Sequence, residues 1–101
     1  MRHITRMIVA PIINGFPEPF DAHMVEKRVL RLHPEAFARE LLAYRQTRDP
    51  LLQFSAHFAK RVDFMFRGQI RKTQKVFSDN LAGDLIKNQQ WRRINPAIPV
   101  A

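Results

Sequence analysis

From position 21 onward the apolar residues recur at three- and four-residue steps, a period that predicts helices. Asp21 is a good N-cap, and Phe20 before it can staple onto Val25, so a helix begins at Ala22 with Met24, Val25, Val29 and Leu32 along one stripe. Pro34 disfavours helical geometry at His33 and removes a backbone donor, which ends or kinks that helix. The same proline opens a second helix running to about Thr47, with Phe37, Leu41 and Tyr44 on one face and Glu35 four residues before Arg39. Asp49 and Pro50 repeat the start signal for the longest helix. Leu51, Phe54, Phe58, Val62 and Met65 form its stripe, flanked by Leu52, Ala56, Ala59, Phe66 and Ile70, so the apolar face extends almost to Arg71. Gly68 costs this helix about 1 kcal/mol relative to alanine and marks a bend or a close crossing. Ser78 caps a last helix that turns Leu81, Leu85 and Ile86 toward the core. Trp91, Arg92 and Arg93 stand near its end, where the dipole favours cations, and Asn95 with Pro96 stops it.

The chain ends read differently. Residues 1–20 contain Pro11, Gly15, Pro17 and Pro19, which break a continuous helix and predict an extended arm. Its basic start (Arg2, His3, Arg6) and apolar middle (Met7, Ile8, Val9, Ile12, Ile13) partly resemble an import presequence. Residues 96–101 read as a short extended tail. The expected fold is therefore all-α: a small bundle of three or four helices over residues 21–95, with an extended N-terminal arm and a short C-terminal tail.

A length of 101 residues allows one domain with a small core, and 46% apolar residues with eight Phe is too apolar for the disordered class. The absence of cysteine removes disulfides, thiolate zinc sites and a cysteine nucleophile. The longest apolar run, residues 7–13, falls far short of the ~20 residues that span a bilayer as a helix. No transmembrane segment is expected.

Charge sharpens the picture. Lys and Arg outnumber Asp and Glu 17 to 9, and the excess is concentrated between positions 60 and 93. A net charge of +8 implies an acidic partner, whether RNA, anionic lipid headgroups or the acidic face of another protein. Twelve of the cations are Arg, whose planar guanidinium pairs bidentately with phosphate or carboxylate. Gln53, His57, Lys60, Phe64, Arg67 and Arg71 share one side of the long predicted helix. Arg67 and Arg71 there can grip phosphates while Phe64 stacks on a base, or Phe64 packs beneath a neighbouring helix beside solvated cations. Lys72, Lys75, Lys87, Arg92 and Arg93 can extend the patch. The candidate partner face is thus Lys60, Phe64, Arg67, Arg71, Lys72, Lys75, Arg92 and Arg93.

Catalytic chemistry is not expected. His3, His23, His33 and His57 lack the spacing that sets two imidazoles on one helical face for a metal. Ser55 and His57 point in different directions on a helix, and Ser78 is explained as a cap. Glu35, Glu40, Asp49, Asp79 and Asp84 are explained by capping and charge balance. No cofactor, metal or catalytic residue is assigned.

Leu42-Ala43-Tyr44-Arg45, or Leu30-Arg31-Leu32-His33, followed by Phe66-Arg67, resembles the small mitochondrial LYR-type accessory proteins. These are basic three-helix units named for a Leu-Tyr-Arg triplet with a Phe-Arg further along; the contiguous triplet is absent here. The leading functional expectation is a non-catalytic accessory subunit of a larger mitochondrial complex of the respiratory-chain or ATP synthase type, on the matrix side. It would bind other protein subunits through apolar terminal segments and Arg-rich helix faces. The alternatives are a small basic RNA-binding ribosomal protein and, third, a viral or regulatory inhibitor that mimics a helix partner.

Overall fold

Aspartate caps and prolines set the starts of three helices. In a computed structural model, which describes residues 1–95 and 97–99, helix α2 (Ala22–Leu32) is capped by Asp21, whose side chain accepts from the Met24 amide at 3.0 Å. Helix α4 (Pro50–Met65) is capped in the same way by Asp49, which accepts from the Leu52 amide at 3.2 Å. Helix α3 (Pro34–Leu42) opens on its proline, where the missing N–H breaks no intrahelical bond. It closes five residues earlier than the sequence predicts. An Asp21→Ala substitution is expected to cost about 1 kcal/mol, read from the urea midpoint at unchanged slope.

Two expected features are overturned. The fold is mixed α and β, not all-α and not purely helical: among the described residues four helices accompany a three-stranded antiparallel sheet. The segment expected to be a last helix, together with the expected end of the longest one, forms a hairpin of β2 (Ile70–Asp79) and β3 (Leu85–Arg93). Its causes are local. Helix α4 stops at Met65, and Gly68 takes a φ of +84° that an L side chain rarely adopts, redirecting the chain into β2. At the far end Asn80 accepts from the amides of Ala82 and Asp84 at 2.9 Å each, while Gly83 supplies a φ of +85°. Ser78 is therefore a strand residue. The short strand β1 (Phe20–Asp21) adds to the other edge of β3, giving the order β1-β3-β2.

The arm is not extended either. Residues Arg6–Asn14 form helix α1 with Pro11 inside it. The proline forfeits one hydrogen bond, but Val9, Ala10, Ile12 and Ile13 are all buried, and that apolar burial offsets the loss. Arg93 closes the helix by donating from Nη1 to the carbonyls of Ile13 (2.7 Å) and Phe16 (3.0 Å), placing a cation at the negative end of its dipole. In the predicted tail Ile98 is buried and exchanges two hydrogen bonds with Asn14; Pro96, Val100 and Ala101 lie outside the described residues.

These pieces share one core. Val25 and Val29 of α2, Phe54, Phe58 and Val62 of α4, the α1 stripe and Ile4 close around Phe20, Phe66 and Trp91. Phe37, Phe54 and Tyr44 meet edge to face, with centroids 4.8 and 5.7 Å apart. Among the described residues no helix is long and apolar enough to cross a membrane.

Candidate functional site

The hairpin lies against α4 at Asp63. Its Oδ1 accepts from the Trp91 indole at 3.2 Å, and its Oδ2 pairs with the Lys72 ammonium at 3.5 Å. Beyond this tie the two elements diverge, leaving a cavity of about 270 Å³ lined by Ala22, Ser55, Ala56 and Ala59 on the helical side. Small side chains leave the space open. Lys60, Lys75 and Lys87 also line it, and a second cavity of about 130 Å³ shares Ala59, Lys60, Lys75 and Gln89 while adding Lys72. The two form one groove with four lysines and a single carboxylate, Asp63, among their lining residues.

Register fixes which hairpin side chains share a face. Lys75, Phe77 and Asp79 stand opposite Gln89, Lys87 and Leu85, so these six lie together, and Phe77 is 62% exposed with the Lys87 ammonium 5.5 Å from its ring centre. Val76, Ser78, Ile86 and Asn88 occupy the other face and are half-buried or buried. A bulge at residues 73–74 disrupts the pairing between these stretches and the regular pairs nearer α4.

Phe64 is the other solvent-facing aromatic of this region, 57% exposed. It does not pack beneath a helix. The guanidinium groups of Arg61 and Arg67 sit 5.3 and 5.2 Å from its ring centre, giving a cation–aromatic–cation cluster on the surface.

The predicted residues thus separate. Lys60, Lys72 and Lys75 meet along the groove, whereas Phe64 and Arg67 form the adjoining cluster. Arg71 stands directly opposite Arg92 across the sheet, a like-charge pair that is unfavourable by itself. Glu18 lies 3.8 Å from Arg92 and relieves part of that repulsion. Arg93 is turned inward onto α1 and Glu18, and acts within the fold. His57 bonds the Tyr44 hydroxyl at 2.9 Å, away from the groove.

Three residues of the region escaped the sequence reading of the face: Arg61, Phe77 and His23. For Phe77 the available signal was the turn sequence Asn80-Leu81-Ala82-Gly83-Asp84, which turns the preceding residues into a strand with one outward face. Helical spacing placed Arg61 off the chosen stripe. His23 is buried on α2, and its Nδ1 lies 3.0 Å from the Ser78 carbonyl and 2.9 Å from the Ser78 hydroxyl. Burial lowers its pKa below 6.5, partly opposed by the Ser78 hydrogen bond. Next to the cavity, Ser55 donates to the buried Glu26 carboxyl at 2.6 Å, and burial pushes the Glu26 pKa up to about 7.

Among the described residues no group of three or more His, Asp or Glu could hold a metal ion. No family model, curated protein or solved structure matches the chain.

Proposed function

We propose that this protein is a non-catalytic binder of single-stranded nucleic acid, using the α4–hairpin groove and the Phe64 cluster as one surface. The observation that carries this reading is Phe64, held out in solvent with the Arg61 and Arg67 guanidinium groups 5.3 and 5.2 Å from its ring centre. An exposed ring gains little from water but stacks on any base, and its flanking cations suit the phosphates on either side. Phe77 with Lys87 repeats the arrangement on the hairpin, and the groove lysines supply further phosphate contacts. A duplex would leave both rings without an unstacked base, so the single strand is the better fit. The Arg71–Arg92 pair supports the same reading, since an anion between them relieves their repulsion.

The expected accessory role in a protein complex relied on apolar terminal segments reaching neighbouring subunits. In the structure Ile4, Val9, Ile12, Ile13 and Ile98 are buried in the chain's own core, so they offer no such surface. The Arg-rich helix faces remain free to meet an acidic protein, and that outcome belongs to the test.

Fluorescence anisotropy with labelled single-stranded RNA and DNA of mixed sequence is the direct experiment. Binding should weaken steeply with salt, with a log–log slope of about −0.7 per phosphate neutralised, and Lys75→Gln should lower the slope by about that amount. Phe64→Ala should cost about 1–3 kcal/mol of affinity while leaving the fold unchanged, because the ring is mostly outside it. Comparison of the RNA and DNA arms reads any contribution of the 2′-hydroxyl. If neither strand binds at low salt, or the protein instead captures only an acidic protein, the reading is abandoned.

A further inference from the structure

Strand β2 ends the sheet, and its outer edge leaves backbone amides and carbonyls without a strand partner. The turn fixes which residues these are. The Asn80 amide donates to the Asp84 carbonyl at 2.9 Å, so residue 80 directs its backbone groups toward β3. Direction alternates along a strand, so Ser78 and Val76 also face β3, while Asp79, Phe77 and Lys75 face outward. The Val76 carbonyl agrees, since it accepts from the Asn88 side chain of β3 at 3.1 Å. Among the described residues the backbones of Lys75, Phe77 and Asp79 make no hydrogen bond outside the sheet.

Nearer α4 this edge is blunted by the bulge at 73–74 and by the exposed charges of Arg71 and Lys72. Residues 75–79 have neither bulge, glycine nor proline. Their outward-facing members share one face of the hairpin and run cation, ring, anion: Lys75, Phe77, Asp79, all exposed. Turned through a two-fold axis, the same run reads anion, ring, cation. The edge is therefore complementary to itself.

We propose that two copies of this chain pair antiparallel along β2, about a two-fold axis at Phe77, joining their sheets into one. Each Lys75 then stands opposite the second copy's Asp79, and the two Phe77 rings stand side by side, both favourable cross-strand pairs. A Lys87 ammonium 5.5 Å from each ring centre completes the row across the two sheets. Other registers fit worse. An axis at Lys75 or Asp79 sets like charges opposite each other, and one at Val76 or Ser78 sets a charged side chain opposite the ring. An axis between two residues matches an outward backbone group with an inward one. The contact is short, which places the dimer in the weak, transient class.

Sedimentation equilibrium of the full chain from about 10 μM to about 1 mM tests this and should show a dimer growing with concentration. Salt near ~0.15 M screens repulsion between the distant charges of the two chains. Lys75→Asp and Asp79→Lys should each weaken dimerisation at least ~10-fold, because symmetry puts each like-charge contact into the interface twice. The double variant restores both pairs in reverse and should recover the affinity, with circular dichroism checking that each variant is folded. Should a variant fail to fold, amide exchange in the unmodified protein decides. Protection of the Lys75, Phe77 and Asp79 amides should rise with concentration, while that of Val76 and Ser78 stays constant. A chain still monomeric at about 1 mM, or a double variant no tighter than the single ones, overturns the proposal. If the chain stays monomeric while an added acidic, extended peptide protects those amides, the edge takes a peptide strand and the second copy is excluded. The dimer does not rest on nucleic-acid binding, so oligonucleotide titrations and sedimentation can fail separately.

Discussion

Trp91→Ala is expected to remove about 3–5 kcal/mol of stability, the range for deleting a large buried aromatic. The indole is fully buried on the central strand, between β1 and β2 in the sheet, with the Phe20 ring centre 6.0 Å away. It also donates to Asp63, so its loss leaves that carboxylate with Lys72 alone on the hairpin side. Domains of this kind are stable by only ~5–15 kcal/mol, so the variant should be near its folding limit. Trp91→Phe keeps most of the apolar contact while leaving Asp63 without its neutral donor, and about 1–3 kcal/mol is expected. Urea unfolding followed by far-UV circular dichroism measures both. Since Trp91 is the only tryptophan, its fluorescence in the unmodified protein should be blue-shifted and should red-shift on unfolding. A cost below about 1 kcal/mol for the alanine variant would mean the hairpin does not pack on the helices as described.

The helix starts were legible because each is written in one or two residues. Asp21, Pro34, and Asp49 with Pro50 act on neighbouring amides whatever the rest of the chain does, and the structure places all of them at those boundaries. The hairpin was not legible from periodicity. Strand β2 is an edge strand, so five successive residues, 71–75, are exposed and polar, and the bulge at 73–74 interrupts the alternation that marks a strand. Arg, Lys and Gln there also carry good helix propensity, which pulled the reading the wrong way. The contrary signal lay in Gly68 and the Asn80–Gly83 turn, where positive φ is required. Pro11 misled in the opposite direction: propensity forbids a helix around it, but the buried stripe of α1 outweighs one lost hydrogen bond. The lysines of the groove were visible as a basic cluster, with Lys60 on one helix face and Lys72, Lys75 and Lys87 extending it onto a loop and an expected last helix. They meet because a helix and a hairpin face each other, an arrangement no local pattern encodes.

Stability should fall as pH rises through neutrality, and Glu26 is the cause. Its side chain is 1% exposed; burial raises its pKa from 4.5 to about 7, opposed by the Ser55 hydrogen bond and by the Lys27 charge. An acid whose pKa is raised on folding binds its proton more tightly in the native state. Its full contribution is present below pH 4.5 and is lost as pH climbs through 7, a change worth about 3 kcal/mol in all. His23 acts in reverse: its pKa is lowered by burial, so stability is lost as pH falls below 6.5. Just below pH 6.5 the two slopes oppose each other, and above 6.5 the Glu26 loss continues alone. Glu26→Gln keeps the shape and can still accept from Ser55, but it has no charge to desolvate. The variant should match the unmodified protein near pH 4.5 and exceed it by about 3 kcal/mol at pH 8. Urea midpoints at half-unit pH intervals provide the curve, and the difference between the two proteins cancels every other titrating group to first order. A difference that is flat with pH would show Glu26 to be ionised at ordinary cost, and with it would go the sealed environment that holds Ser55 beside the groove.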